Sequence, residues 1–408
     1  MWKRLFLVFS NRENRMSQES IVIVGMARTP MGGFMGDLSP LKTPELGAAA
    51  IKAAVAQSGV KSDEIDEVIM GCVLPAALGQ APARQATLAA GLPLSTGATT
   101  INKVCGSGMK SVMLANDLLI AGTNTVMVAG GMESMSNAPH MLPQARSGYR
   151  FGHGQLLDHM AFDGLEDAYE GKAMGFYAED CADKYEFSRE QQDEFAINSL
   201  AKSKKAVEDG SFDSEVTPVT IKTRKGDIVI DKDEQPLKAR PDKISTLRPA
   251  FKKDGSITAA NASSISDGAA AMLLMRESEA SKRGLKPLAR IVGHTSHARK
   301  PAEFTIAPVS AMKDLLNKVN WKIEDVDLFE INEAFAVVTM AAIKDLDLDE
   351  TKVNVHGGAC ALGHPIGTSG TRIIVTLIAA LRKYGKTKGV ASLCIGGGEA
   401  TAMAIELI

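Results

Sequence analysis

Ser58–Gly71 reads SGVKSDEIDEVIMG and Val319–Asn332 reads VNWKIEDVDLFEIN. Laid one on the other, Lys61 falls on Lys322 and Asp66 on Asp327, and the acidic pairs Asp63–Glu64 and Glu324–Asp325 coincide. Each segment passes from a helix end into a short apolar run, the pattern of a buried strand. Two further matches follow in the same order: GSGMKSV (106–112) with TSGTRII (368–374), and VMVAGGMES (126–134) with LCIGGGEA (393–400). Three matches in register predict a duplicated α/β unit.

Around these segments, strand-like and helix-like runs alternate. IVIVGMARTP (21–30) reads as a buried strand, PELGAAAIKAAVAQSGV (44–60) as a helix closed by Gly59, and GSGMKSVMLANDLLIAG (106–122) as a helix closed by Gly122. Such alternation predicts βαβ units and a mixed, mainly parallel sheet. Residues 134–265 differ, being richer in Gly, His and charge, and read as an inserted loop domain. It holds one clear helix over 188–210, with Ser188 and Gln191 as a capping box and Gly210 as its end. The expected divisions are an extension (1–19), a first half (20–133 plus 266–285), the loop domain (134–265) and a second half (286–408).

The composition excludes several classes. The chain has 408 residues, 45% of them apolar and 23% charged, with net charge −2, as in a soluble globular protein. No basic field draws nucleic acid, and aromatics at 5% offer no stacking platform for bases. No run reaches the 18 or so apolar residues of a membrane span. Five cysteines without a CxxC argue against a disulfide framework or a structural zinc site and for a reducing, cytoplasmic setting. Residues 1–15 read as a dispensable extension before Met16, with a mitochondrial presequence as the alternative.

Cys105 lies between a predicted strand and the long helix from Gly106. A thiol there faces unpaired N–H groups and the positive helix end, which lower its pKa. Two readings stand at this point: a nucleophile, or a small core residue. The second half carries VNVHGGACALGHPIGTSGTRI (353–373), in which His364 precedes the repeat's matching helix. Packing the matched helices about a pseudo-twofold axis brings His364 toward Cys105, where it can activate the thiol. Cys394 stands at another strand end, before Gly396, Gly397 and Gly398. Two thiols and a histidine suit two-step acyl transfer, with the Cys105 and Gly396 amides free to meet an oxyanion. Asn332 either orients a water or carbonyl or caps a helix beginning at Glu333. His294 and His297, like His153 and His159, lack acidic or cysteine neighbours at metal-ligand spacing. Lys238, Arg240 and Lys243 form either a phosphate contact or a solvated face.

NKVCGSGMKS (102–111), NASSISDGAA (261–270), NEAFA (332–336), HGGACALGHPIGTSG (356–370) and CIGGGEA (394–400) together resemble the thiolase family, over essentially all of 20–408. The resemblance implies a duplicated five-layer α-β-α-β-α fold with a loop domain, assembled as a homodimer or homotetramer. It implies a transferase that joins two acetyl-CoA into acetoacetyl-CoA plus CoA, or the reverse, with thiolysis of longer 3-ketoacyl-CoA as the alternative. Coenzyme A is then substrate and product, with no resident cofactor or metal. Carried over, Cys105 is the acylated nucleophile, His364 its activator and Cys394 the acid/base at the α-carbon. Asn332 holds a water in one oxyanion hole with His364, while the Cys105 and Gly396 amides form the other. Ser263 meets the pantetheine arm, with Met174 and Lys243 as further coenzyme A contacts. Ala173 departs from the pattern, standing where acetoacetyl-specific members carry His. A ketoacyl synthase shares the fold but uses Cys with two His; here Cys394 replaces the second. A non-catalytic coenzyme A-binding scaffold would have no need of these four groups.

Overall fold

In the computed structural model, which describes residues 19–408, the two repeat segments fold alike down to single hydrogen bonds. A helix ends in a left-handed residue, Gly59 in one half and Asn320 in the other, and one 3₁₀ turn follows. The Lys61 N–H donates to the Glu64 carboxylate at 3.2 Å, and the Lys322 N–H to Asp325 at 2.8 Å. Asp66 then accepts from the backbone of Thr125 and Val126, as Asp327 does from Thr387 and Lys388. Each aspartate so pins the start of one strand to the start of its parallel neighbour. The predicted extension falls outside the described residues up to Gln18.

The first half contributes β1 (Ile21–Arg28), α1 (Thr43–Ser58), β2 (Glu67–Gly71), α2 (Pro82–Ala89), β3 (Gly97–Ile101), α3 (Ser107–Ile120) and β4 (Val126–Ser134). The chain leaves the sheet there, forms α4 (Met174–Tyr185) and α5 (Arg189–Glu208), and returns as β5 (Ser266–Arg276). The second half adds β6 (Ala289–Ala298), α6 (Ala307–Val319), β7 (Leu328–Ile331), α7 (Ala336–Leu346), α8 (Ser369–Tyr384), β8 (Lys388–Ile395) and β9 (Glu399–Glu406). Strand order is β7-β8-β9-β6-β1-β5-β4-β2-β3. Four strands of the first half point one way and β5 is reversed between β1 and β4; β9 is reversed in the second half. Within each half most strands therefore run in one direction, although the reversed strands make antiparallel contacts with both neighbours and the two halves meet antiparallel at β1 and β6. The halves join through three residue pairs, Ile21–Ile23 against Ala289–Ile291.

Helices α3 and α8 fill the layer between the two halves, with α1 and α2 outside the strands of the first half and α6 outside those of the second. The central position explains α8, in which every residue from Ser369 to Leu381 is buried. A helix covered on all sides has no polar face to keep. The helices cross where Gly108 and Gly370 face each other. A Cβ at Gly370 would sit 2.3 Å from the Met109 nitrogen, and one at Gly108 2.9 Å from that of Thr371. Glycine here brings both helix N-termini to one place, the floor of the functional site.

The loop domain is fastened to this frame by Arg28, the last residue of β1. Its guanidinium donates to Glu215 at 2.5 Å and as a fork to Asp233 at 2.7 and 2.8 Å, all buried. Arg28→Ala leaves two carboxylates buried without their cation, a defect that costs about 3–5 kcal/mol. Urea unfolding should show that loss.

Candidate active site

Cys105 sits in the turn between β3 and α3, and the turn is strained to present it. Val104 adopts φ +46°, which a β-branched residue rarely tolerates. Three hydrogen bonds hold it: the Val104 N–H donates to Asn102 Oδ1 (2.8 Å), the Lys103 N–H to Ser107 Oγ (2.8 Å), and the Ser107 hydroxyl to the Val104 carbonyl (2.7 Å). Lys103 is tied to Glu399 of the other half. The sulfur faces a chamber of about 620 Å³ whose lining includes Cys105, His364, Cys394, Gly396, Ser263 and Met174. The rest of the wall is mostly apolar, with Phe251, Phe304 and Phe335 in edge-to-face contact.

The thiol is not acidified, contrary to the reading of a lowered pKa at a helix start. Burial pushes it up to about 11, and the amide hydrogen bonds of Gly396 and of Cys105 itself only partly oppose this. Desolvation outweighs two N–H groups because the chamber wall is apolar. Those two amides nonetheless converge on the reacting sulfur from opposite halves. Alkylation of Cys105 by iodoacetamide should rise with pH toward a midpoint near 11, well above an ordinary cysteine; a midpoint below about 8.5 would contradict this.

His364 is buried, and its tautomer follows from its partners. The Ser369 hydroxyl donates to the Pro365 carbonyl at 3.1 Å, so its oxygen accepts the His364 Nδ1 hydrogen at 2.5 Å. That leaves Nε2 with a lone pair. The Asn332 side-chain nitrogen stands 3.5 Å from Nε2, while its Oδ1 is buried with no hydrogen-bond partner among the described residues. Burial first, and Arg372 second, push the imidazole down to about 3, so it rests neutral. Cys394, at the end of β8, is buried; desolvation and the nearby Cys105 push its thiol well above the usual range.

Asn332 is not a helix cap: α7 begins at Ala336, after Phe335. Glu333 instead turns inward and accepts from Ser199 Oγ (2.7 Å), Asn354 Nδ2 (2.8 Å) and the Cys360 N–H (3.1 Å), which fixes the backbone beside Asn332. Ser263 lines the chamber, its N–H on the Ala334 carbonyl at 2.9 Å. Met174 starts α4, and a Cβ at Gly396 would lie 3.8 Å from its sulfur. Lys243 is not brought to this chamber. It borders a neighbouring cavity of about 260 Å³ that shares Gln235 and Ala259 with it. His294 and His297 pair with Asp117 (2.9 Å) and Asp314 (2.7 Å), and buried His356 lies edge-on to Phe212, outside the chamber lining.

Sequence reasoning missed Ser369. Its signal was present in the repeat, where Ser107 and Ser369 occupy the same place at two helix starts. One braces the nucleophile turn and the other braces the imidazole.

Two family descriptions match the chain: thiolase, N-terminal domain, over residues 21–278, and thiolase, C-terminal domain, over residues 285–407. An acetyl-CoA acetyltransferase of Chromobacterium violaceum is 49% identical over 389 residues, 95% of this chain and 99% of that protein. One from Cupriavidus necator is 49% identical over 388 residues, with the same coverage. A probable acetyl-CoA acetyltransferase of Dictyostelium discoideum is 47% identical over 95% of this chain and 94% of its own length. The crystal structure of the Bacillus anthracis acetyl-CoA acetyltransferase superposes with a TM-score of 0.93 at 44% identity, covering 96% of this chain and 99% of that one.

Proposed function

The chain belongs to the thiolase family, and from that premise we propose that it interconverts two acetyl-CoA with acetoacetyl-CoA and CoA, through an acetyl group carried on Cys105. The observation that carries the reading is the convergence of Cys105, His364, Cys394 and the Gly396 amide on one apolar chamber. As Cys105 Sγ attacks the thioester carbonyl, His364 Nε2 takes its proton. A thiol near 11 beside an imidazole near 3 leaves the ion pair far uphill at rest, so proton transfer accompanies formation of the carbon–sulfur bond. The carbonyl oxygen gains negative charge between the Cys105 and Gly396 amides. Collapse expels CoA, which leaves as its thiol by taking the Cys394 proton, while His364 keeps the proton from Cys105.

In the second step the Cys394 thiolate left by that transfer takes a proton from the methyl of another acetyl-CoA. The enolate oxygen lies toward the protonated Nε2 of His364 and toward a water at Asn332, whose buried Oδ1 suits it. The carbanion attacks the acetyl carbon, the bond to Cys105 breaks, and the proton held by His364 returns to restore the Cys105 thiol. Run backward, the scheme is thiolysis. It needs no resident cofactor, and unoxidised thiols suit a cytoplasmic setting. Ser263 and Met174 lie along the path of the pantetheine arm.

A longer acyl chain is the second reading, favoured by Ala173 in the wall of the mostly apolar chamber. The test is the thiolysis rate with 3-ketoacyl-CoA of increasing length. A fall beyond four carbons supports the short-chain reading, and a rise refutes it. Self-association as a dimer or tetramer belongs to the same proposal. It is supported by β3, a partly exposed strand at the sheet end, and by Leu142, Phe151 and Leu156 exposed in one loop. Light scattering at micromolar concentration gives the mass, and a monomer refutes this part.

A further inference from the structure

Glu133, next to the last residue of β4, is fully buried yet enters no step above. Its Oε2 accepts the Val73 N–H at 2.9 Å and the Gly367 N–H at 3.0 Å. Its Oε1 accepts the Leu74 N–H at 3.2 Å and the Cys72 thiol at 3.7 Å. Val73 and Leu74 follow β2 in the first half. Gly367 belongs to the second half, three residues after His364. One carboxyl group therefore joins the halves directly beneath the chamber. Val73, Leu74 and Ile366, the residues it anchors or adjoins, form the apolar cluster against which Cys105 packs. The fit leaves no slack, since a Cβ at Gly367 would lie 2.5 Å from Glu133 Oε2 and 3.2 Å from the Cys72 Cα.

The other bonds that cross between the halves here end elsewhere: the Thr368 hydroxyl donates to the Gly268 carbonyl of β5 at 2.7 Å, and Lys103 pairs with Glu399 of β9. Ser107 and Asn102 fix Cys105 within its own turn, and Ser369 fixes His364 within its own loop. Neither sets the distance between the two loops. We propose that Glu133 is a positioning residue for acyl transfer: by accepting amides from both halves, it fixes the loop of His364 against the turn of Cys105. Burial pushes its carboxyl up to about 7 against the pull of these amides, and among the described residues no cation hydrogen-bonds to it. Its charge also faces Cys105 and adds to the rise of that thiol. Geometry and charge thus make separate demands, which a test can resolve. A glutamine keeps the size, but its amide group turns a donor toward at least one N–H that needs an acceptor.

The proposal rests on the thiolase reading, and the experiment separates the two. Glu133→Gln is mixed with acetyl-CoA, and the acetyl adduct on Cys105 is timed by mass spectrometry. In parallel, Cys105 is alkylated with iodoacetamide, which needs the thiol but not His364. The expected result is acetylation slowed about 10- to 100-fold, the scale of a misplaced reacting pair, with alkylation unchanged or faster because a negative charge is gone. A proportional fall in both rates, matching a loss of folded protein by circular dichroism, would overturn the proposal. So would two unchanged rates. If Glu133→Gln does not fold, Glu133→Asp is read by the same two rates; it keeps the acceptors but shortens their reach. Should the unaltered enzyme take up no acetyl group on Cys105, the catalytic reading fails and this proposal with it.

Discussion

Cys105→Ala takes up no acetyl group from acetyl-CoA and loses acetoacetyl-CoA cleavage by about 10⁶-fold, the scale on which removal of a covalent nucleophile acts. The chamber, the two amides and His364 all remain, so coenzyme A esters still bind, and a thermal shift with acetyl-CoA persists. Folding should change little, because Cys105 is partly exposed and alanine fits its volume. The decisive measurement is intact mass after mixing, with peptide mapping across residues 102–111. An acetyl group found elsewhere, with activity kept in the variant, would refute the assigned role. Cys105→Ser is a sharper form of the same experiment. It keeps an OH group beside Nε2 but replaces sulfur with a much weaker nucleophile, and the adduct should again fail to appear.

Cys394→Ala separates the two half-reactions. Acetylation of Cys105 needs Cys105, His364 and the amides; CoA can leave as its thiolate without the Cys394 proton, so this step should proceed within about tenfold of normal. Proton removal from the second acetyl-CoA needs the Cys394 thiol, and loss of a positioned acid–base group costs about 10²–10⁴-fold. The acetyl adduct should therefore accumulate and persist. Exchange of the acetyl-CoA methyl protons with deuterated water, catalysed by the intact enzyme, should vanish with it. If exchange survives in Cys394→Ala, another base operates and the assignment is wrong. The raised pKa of Cys394 fits the role in one direction: the thiol rests protonated, ready to return a proton during thiolysis.

Much of this was legible before any coordinates. The register of Ser58–Gly71 on Val319–Asn332 held because the segment is a local device: a left-handed cap, a 3₁₀ turn and an aspartate that binds the next strand. Such features depend on side chains a few positions apart, which sequence displays directly. The convergence of Cys105, His364 and Cys394 followed from the same symmetry. What misled was burial. A helix start lowers a thiol's pKa only where water or charge supports the anion, and Cys105 faces an apolar chamber instead. Glu333 looked like the first residue of an exposed helix turn, but it points inward to Ser199, Asn354 and Cys360, which delays α7 by three residues.

The loop domain hid its helices for a related reason. In α4 the buried face includes Glu179, which accepts the backbone of Ser256 and Ile257 and interrupts the apolar period. Strand β3, with the sequence GATTI, lies at the end of the sheet and is nowhere fully buried, so it lacks an apolar run. Positions whose polarity is satisfied by residues far along the chain look in sequence like surface. Glu133 is the plainest instance, since one of its partners is 234 residues away.

The division of the site between two halves orders events during synthesis of the chain. Cys105 is translated early, but Cys394 and Gly396 belong to the second half and come much later, with β9 after them. Until these emerge from the ribosome, Cys105 has neither its second amide nor its proton partner. The nascent first half is thus an inert thiol, unable to capture acyl groups from the surrounding pool. A chain cut short before β8 lacks both groups, and so carries no partial activity to be policed.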